Sequence, residues 1–135
     1  MSRENVEVVR RMLEWAGDTA ELGIVVTELF DPDIEWHDTP SLPGAGVYRG
    51  HEAVRRHIED YLDAWENAEI AIQGIEPVGD RVLARIRYVG VGRQSGIRLE
   101  DNVVTAVYDL RDGRILRVRQ FVDEAKALEA VGLSE

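Results

Sequence analysis

Apolar positions recur every three or four residues over the N-terminal part of the chain. Val6, Val9, Leu13 and Ala16 follow helical spacing, and Val8, Met12 and Trp15 widen the stripe. Ser2 is placed to cap this first helix, with Asn5 where a capping box would carry Glu, and Glu4 adds negative charge to the first turn. Gly17-Asp18 interrupts the pattern, and Asp18 can cap a second helix whose Leu22, Val25, Val26, Leu29 and Phe30 again share a face. So short a connection predicts an antiparallel helical hairpin.

Asp31-Pro32 stops the second helix, because the residue before proline is pushed out of the helical region. The next segment, Ile34-Glu35-Trp36-His37-Asp38, alternates as a half-buried strand does: Ile34, Trp36 and Asp38 on one face, Glu35 and His37 on the other. Thr39 to Tyr48, with two prolines and two glycines, reads as a loop. A third helix is expected from about His51 to Glu66, with Val54, Ile58, Tyr61 and Trp65 along its centre. Glu52–Arg56 and Arg55–Glu59 form i,i+4 ion pairs on its far side.

Beyond Ala68 the period changes to two. Ile70 and Ile72 alternate until Gly74-Ile75 breaks the register as a bulge would. After the Gly79-Asp80 turn, Val82, Ala84, Ile86 and Tyr88 share one face of the next strand, with Arg85 and Arg87 on the other. Gly90 to Gly96 is a glycine-rich connection to a long strand, Arg98 to Leu110, and Asp112-Gly113 is a hairpin signal leading into Ile115 to Val122. Asp123 caps a last short helix over Glu124 to Val131 that packs Leu128 and Val131, and Gly132 ends it. The order α-α-β-α-β-β-β-β-α, without repeat or linker, predicts one α+β domain over 1–135, with helices covering one face of an antiparallel sheet.

Composition narrows the function. The formal charge of −10 disfavours nucleic acid and anionic membrane as partners, and otherwise serves solubility. The chain has no cysteine, which removes disulfides, thiol nucleophiles and cysteine-held zinc. Apolar runs are too short for a transmembrane span, and the N-terminus lacks a secretory pattern, so a cytoplasmic protein is expected. His37, His51 and His57 lack metal-ligand spacing, GVGRQSG at 90–96 opens no helix onto a phosphate, and no serine-nucleophile elbow is present. No metal or cofactor is expected.

The polar residues set among apolar ones are the candidates for chemistry. Asp38 shares the face of Ile34 and Trp36, and a carboxylate against an apolar wall is a usable general base; an Asx turn onto Thr39 is the structural alternative. His57 lies one helical turn from Tyr61, where the pair could donate to a carbonyl or share a proton; a half-buried histidine bonded to a carbonyl is the alternative. Trp36, Tyr61, Trp65 and Tyr88 read as pocket lining, with Tyr48 at the mouth. Glu100 and Asn102 fall in phase with Val104, Ala106 and Tyr108, as pocket groups or as a solvated strand end. On the last strand Arg117, Arg119, Phe121 and Asp123 oppose Leu116, Val118 and Val122, and both faces carry apolar residues, so the inner one is left open.

Four phrases in order, DPDIEWHD at 31–38, PGAGVYRGHEAV at 43–54, LRDGRILRVRQFVD at 110–123 and KALEAVGL at 126–133, resemble SnoaL-like members of the NTF2-like superfamily over essentially the whole chain. The resemblance implies a cone: a strongly bent antiparallel sheet packed on three N-terminal helices, with a short C-terminal helix, enclosing a pocket. It also implies homodimers through the outer sheet face. In that superfamily an Arg-x-aromatic-x-Asp phrase occupies the place of 119–123, so Arg119 would pair with a pocket carboxylate or a ligand anion, and Phe121 would join the lining. The superfamily contains polyketide cyclases, ketosteroid isomerases, dehydratases and epoxide hydrolases beside non-enzymatic domains, so fold alone leaves function open. One expectation is a cofactor-independent isomerase, cyclase, dehydratase or hydrolase acting on an apolar carbonyl compound. In it Asp38 is the base, and His57, Tyr61 or Arg119 holds the developing oxygen charge. The other is a non-catalytic ligand-binding or dimerisation domain of the same shape.

Overall fold

A computed structural model describes residues 2–15, 21–38 and 46–132, with side chains at all of these except 2 and 99–102. The expected break at Gly17, the cap at Asp18 and the loop residues 39–45 lie outside the described residues. The elements are α1 (Ser2–Glu14), α2 (Leu22–Leu29), β1 (Phe30–His37), β2 (Val47–Arg49), α3 (Gly50–Ala64), β3 (Trp65–Val78), β4 (Arg81–Gly92), β5 (Arg98–Arg111), β6 (Arg114–Phe121) and α4 (Glu124–Ala130). No helix among the described residues is long and apolar enough to cross a membrane.

One six-stranded sheet runs in the order β2-β1-β6-β5-β4-β3. Four of its pairings are antiparallel, the three among β3 to β6 as expected; β1 and β6 lie parallel, so the sheet is mixed and not wholly antiparallel. Two positions oppose the regular ladder of β3, between Glu66 and Glu69 and at the anticipated Gly74, and such bulges add twist and bend. The sheet curves round the helices. At the β5–β6 hairpin Asp112 and Gly113 both take positive φ, 52° and 78°, the geometry that matches the twist of the flanking strands.

The helical faces pack as their periodicity requires. Val9, Met12 and Leu13 of α1, Leu22, Val26 and Leu29 of α2, and Val54 of α3 are buried with Val82, Ala84 and Ile86 of β4 and Val104, Ala106 and Tyr108 of β5. α1 packs mainly on β3 and β4, so it is held more by the sheet than by a hairpin with α2. Asn5 has turned inward and donates to the Asp80 carbonyl, 3.4 Å, which ties α1 to the β3–β4 turn. His51 Nε2 donates to the Phe30 carbonyl at 2.8 Å and fastens the start of α3 to the start of β1. The i,i+4 contacts Arg55–Glu59 and Arg56–Glu52 form at 3.0 and 3.1 Å.

Four boundaries depart from expectation, each for a tertiary reason. Phe30, read as part of the second helix, opens β1 instead and lies opposite Ile115 of β6. Val47–Arg49 lies in the stretch read as loop and exit, yet it pairs with β1, Trp36 opposite Tyr48, because β1 would otherwise be a sheet edge. Trp65 does not continue α3; it opens β3 and pairs with Gly92, so strand pairing ends the helix one residue before it. For the same reason β4 extends to Gly92, into the segment read as a connection. The C-terminal helix keeps its expected cap, with the Ala125 N–H donating to Asp123 Oδ1 at 2.9 Å. It buries Ala127, while Leu128 and Val131 are half-buried. Glu124 of this helix bonds Arg85 on the outer face of β4, so α4 lies on the side of the sheet away from the other helices.

Candidate active site

β1 ends with Trp36 and Asp38 on the inner face, as strand alternation requires. The Asp38 N–H donates to the Gly46 carbonyl at 3.1 Å, which helps fix where the carboxylate stands. Its side chain is only 6% exposed. Trp36 Nε1 donates to Asp38 Oδ1 at 2.9 Å, Gln120 Nε2 donates to the same oxygen at 3.3 Å, and His57 Nε2 stands 2.7 Å from Oδ2. The carboxylate sets the orientation of Gln120, since a turned-over amide would aim its oxygen at Asp38; its Oε1 accepts from the buried Tyr88 hydroxyl at 2.6 Å. A connected polar network thus spans β1, β4, β6 and α3 within an apolar cone.

His57 is 14% exposed at its side chain and sits between rings. Tyr48 stacks on it with centroids 3.9 Å apart and planes 15° apart, and Trp36 meets it edge-on at 6.4 Å. A carboxylate oxygen 2.7 Å from Nε2 requires a proton on that nitrogen, which leaves Nδ1 as the atom that can accept or deliver a proton. One turn on, Tyr61 presents a buried hydroxyl with no hydrogen-bond partner among the described residues. Burial, and then the negative charge of Asp38, push the Tyr61 hydroxyl up to about 12, so at ordinary pH it is a donor. Tyr88 is also pushed far above the usual tyrosine range, first by burial and then by Tyr108, Tyr61 and Asp38.

Two adjoining cavities meet at this network. The inner one, about 310 Å³, is walled mainly by apolar and aromatic side chains such as Met12, Leu13, Phe30, Ile58 and Ile70. The outer one, about 650 Å³, lies between α3 and the β4–β5 turn. Asp38, His57 and Tyr61 line both. Both volumes fall within the ~300–1,000 Å³ of small-ligand sites.

Of the residues singled out in the sequence, the structure gathers Trp36, Asp38, Tyr48, His57, Tyr61 and Tyr88 around these cavities, and Trp65 lines the outer one. Glu100 and Asn102 belong to β5, with Asn102 opposite Tyr88, but their side chains lie outside the described set. Arg119 and Phe121 do not reach the pocket. The inner face of β6 is that of Val118 and Gln120, which places Arg119 on the outer face 3.6 Å from Asp109, beside Arg117 and Arg81. Burial lowers its affinity for a proton from the usual arginine value, partly offset by Asp109. Gln120 and Tyr108 were missed. A signal for Gln120 was present: it is the polar residue between Val118 and Val122 on their own face. His37, expected to face outward, is half-exposed and bonds Glu35 Oε1 at 3.1 Å, the main reason that Glu35 is held below its usual range.

A curved sheet closed by helices over an apolar cavity, with a small polar cluster at its mouth, defines a small-molecule pocket protein of the NTF2-like shape. The model for the SnoaL-like domain matches residues 9–118, and the chain belongs to that family. Among solved structures it is similar to a protein from a soil-derived mobile gene cassette, with 26% identity, 88% of each chain covered and a TM-score of 0.71. It is also similar to an NTF2-like protein from Burkholderia thailandensis, with 25% identity, 93% of this chain and 95% of that one covered, and a TM-score of 0.74. A putative SnoaL-like polyketide cyclase from Jannaschia sp. shares the fold at 20% identity, with 99% and 95% covered and a TM-score of 0.73. No curated protein matches the chain.

Proposed function

We propose that the protein is an acid–base enzyme acting on a small, mostly apolar carbonyl compound, with His57 as the proton-transfer group. The observation that carries this reading is the junction of the two cavities. There the imidazole is backed by a buried carboxylate and stands one helical turn from an unpartnered hydroxyl donor. The roles differ from those read in the sequence. Both Asp38 oxygens are engaged by Trp36, Gln120 and His57, which suits it to orient the ring and stabilise the imidazolium rather than to take the proton itself.

In the step proposed, His57 Nδ1 removes a proton from the carbon beside the carbonyl. The C–H electron pair moves into the new carbon–carbon double bond, and the carbonyl π pair moves onto oxygen. Tyr61 donates to that oxygen as its charge grows. The imidazolium then returns the proton to another carbon, which is isomerisation, or to a departing hydroxyl, which is dehydration; the enolate carbon can equally attack an internal carbonyl and close a ring. Each outcome uses the same three residues, so the arrangement supports the class of chemistry rather than one member of it. The alternative of a non-catalytic binding domain draws no comparable support, since Asp38 and His57 are in reach of each other and the cavity is not filled by tryptophan rings. A cytoplasmic homodimer through the outer sheet face completes the proposal. Val103, 41% exposed, and the half-buried Phe121 are apolar groups on that face.

The test is exchange of the proton beside a cyclic ketone for solvent deuterium, followed by NMR. Wild type should catalyse the exchange and His57→Gln should lose at least about 100-fold of it. A ketone that binds the wild type with no accelerated exchange would overturn the enzymatic reading in favour of a binding domain.

A further inference from the structure

The junction of the cavities carries information about substrate shape that the acid–base reading does not use. The inner cavity, about 310 Å³, is lined mainly by apolar and aromatic side chains, with Glu14 and Glu69 the charged residues on its wall beyond Asp38. The outer cavity, about 650 Å³, is bounded by Asp60 and Asp63 of α3 on one side and Arg93, Gln94 and Ser95 of the β4–β5 turn on the other. The reacting groups stand between the two, not at the blind end of either. A substrate held only in the inner cavity would leave the larger one filled with water and the dyad exposed to it.

The walls of the outer cavity also set a sign. Asp60 and Asp63 are exposed and have no ion-pair partner among the described residues. Asp38 lies at the floor, and Arg93, the one guanidinium among the described lining residues, stands 3.5 Å from Glu66. The local field is negative, in a chain of formal charge −10.

We propose that the substrate is a two-part molecule, with a compact apolar ring in the inner cavity, its carbonyl at His57 and Tyr61, and a polar arm without negative charge in the outer cavity. This deepens the acid–base reading and rests on it for the position of the carbonyl. It separates such substrates from carboxylated or phosphorylated ones, and it gives the outer cavity the task of holding the ring in place while the proton moves.

Three probes test it: β-tetralone, the same ring with a hydroxyethyl arm, and the same ring with a carboxymethyl arm. Affinity is measured by calorimetry, and deuterium exchange beside the carbonyl is followed in parallel samples. The hydroxyethyl compound should bind about tenfold more tightly than the parent, and the carboxymethyl compound about tenfold more weakly than the hydroxyethyl one. In the doubly substituted Asp60→Asn, Asp63→Asn protein the gap between the two arms should shrink to about threefold. Ile70→Trp, which narrows the inner cavity, should abolish binding of all three, with its melting curve confirming that it folds.

Equal affinity for the three probes overturns the proposal, as does tightest binding of the carboxymethyl compound or no binding of any of them. Discrimination between arms without exchange leaves the two-part site standing and removes the acid–base function. Exchange without discrimination does the reverse.

Discussion

Tyr61→Phe removes one oxygen and nothing else, and the structure assigns opposite signs to its effects on stability and activity. The hydroxyl is buried and has no partner among the described residues, whereas that of the neighbouring buried Tyr88 has one. An unpaired buried hydroxyl costs roughly 1–3 kcal/mol, so its deletion should stabilise the fold by about 1 kcal/mol. For a chain of this length that is a rise in Tm of about 2–6 °C. Loss of a donor to a developing oxyanion costs about 10²–10³ in rate. Thermal unfolding and deuterium exchange, measured on the same preparation, read both quantities. A Tm several degrees lower with exchange intact would show that the hydroxyl is structural. An exchange rate within about threefold of wild type would refute the donor role whatever happens to Tm.

Other outcomes are equally open to measurement. Asp38→Asn should cost about 10³–10⁴ in exchange rate by presenting an amide to the His57 N–H, and about 1–3 kcal/mol of stability because the donors of Trp36, Gln120 and His57 no longer converge on a carboxylate; full activity in this variant would remove Asp38 from the site. Alkaline titration followed by tyrosinate absorbance should show no more than one of the four tyrosines ionised in the folded protein at about pH 10.5, because burial raises Tyr61, Tyr88 and Tyr108. The unfolded chain ionises there while the folded one holds its protons, so stability should fall as pH rises past about 10 and be insensitive to these groups at neutrality. Asp31, held below its usual range mainly by its hydrogen bonds to Arg111, contributes stability that is present above about pH 4 and lost as pH falls through its folded value. Accordingly Asp31→Asn should lower Tm at neutral pH, and by progressively less below about pH 4. Light scattering at micromolar concentration should give twice the chain's 15.2 kDa; the single-chain value would refute the dimer.

Repeating local patterns were legible in the chain. The stripes of α1 and α2, the period-two alternation of β4, the bulge at Gly74 and the Asp112-Gly113 turn each depend on residues close in sequence, and each is found where its residues placed it. Alternation from Ile34 also put Trp36 and Asp38 on the same inner face, and helical spacing put His57 one turn from Tyr61. Those are distances along one element, which a single period fixes.

What the tertiary structure decided was every relation across elements. Val47–Arg49 is a strand only because β1 has an open edge there, and Trp65 leaves the helix only because Gly92 lies opposite it. β6 carries apolar residues on both faces, so its inner side followed from packing rather than pattern; that choice brought Gln120 to Asp38 and sent Arg119 to Asp109 on the outer face. The same docking turned Asp38 from a presumptive base into the anchor of a histidine, because its partners come from β1, β6 and α3 at once. Sequence determined which groups were available and which way each pointed along its own strand or helix. Only the closed sheet set which of them meet, since a meeting across elements depends on the burial of the whole and not on any local spacing.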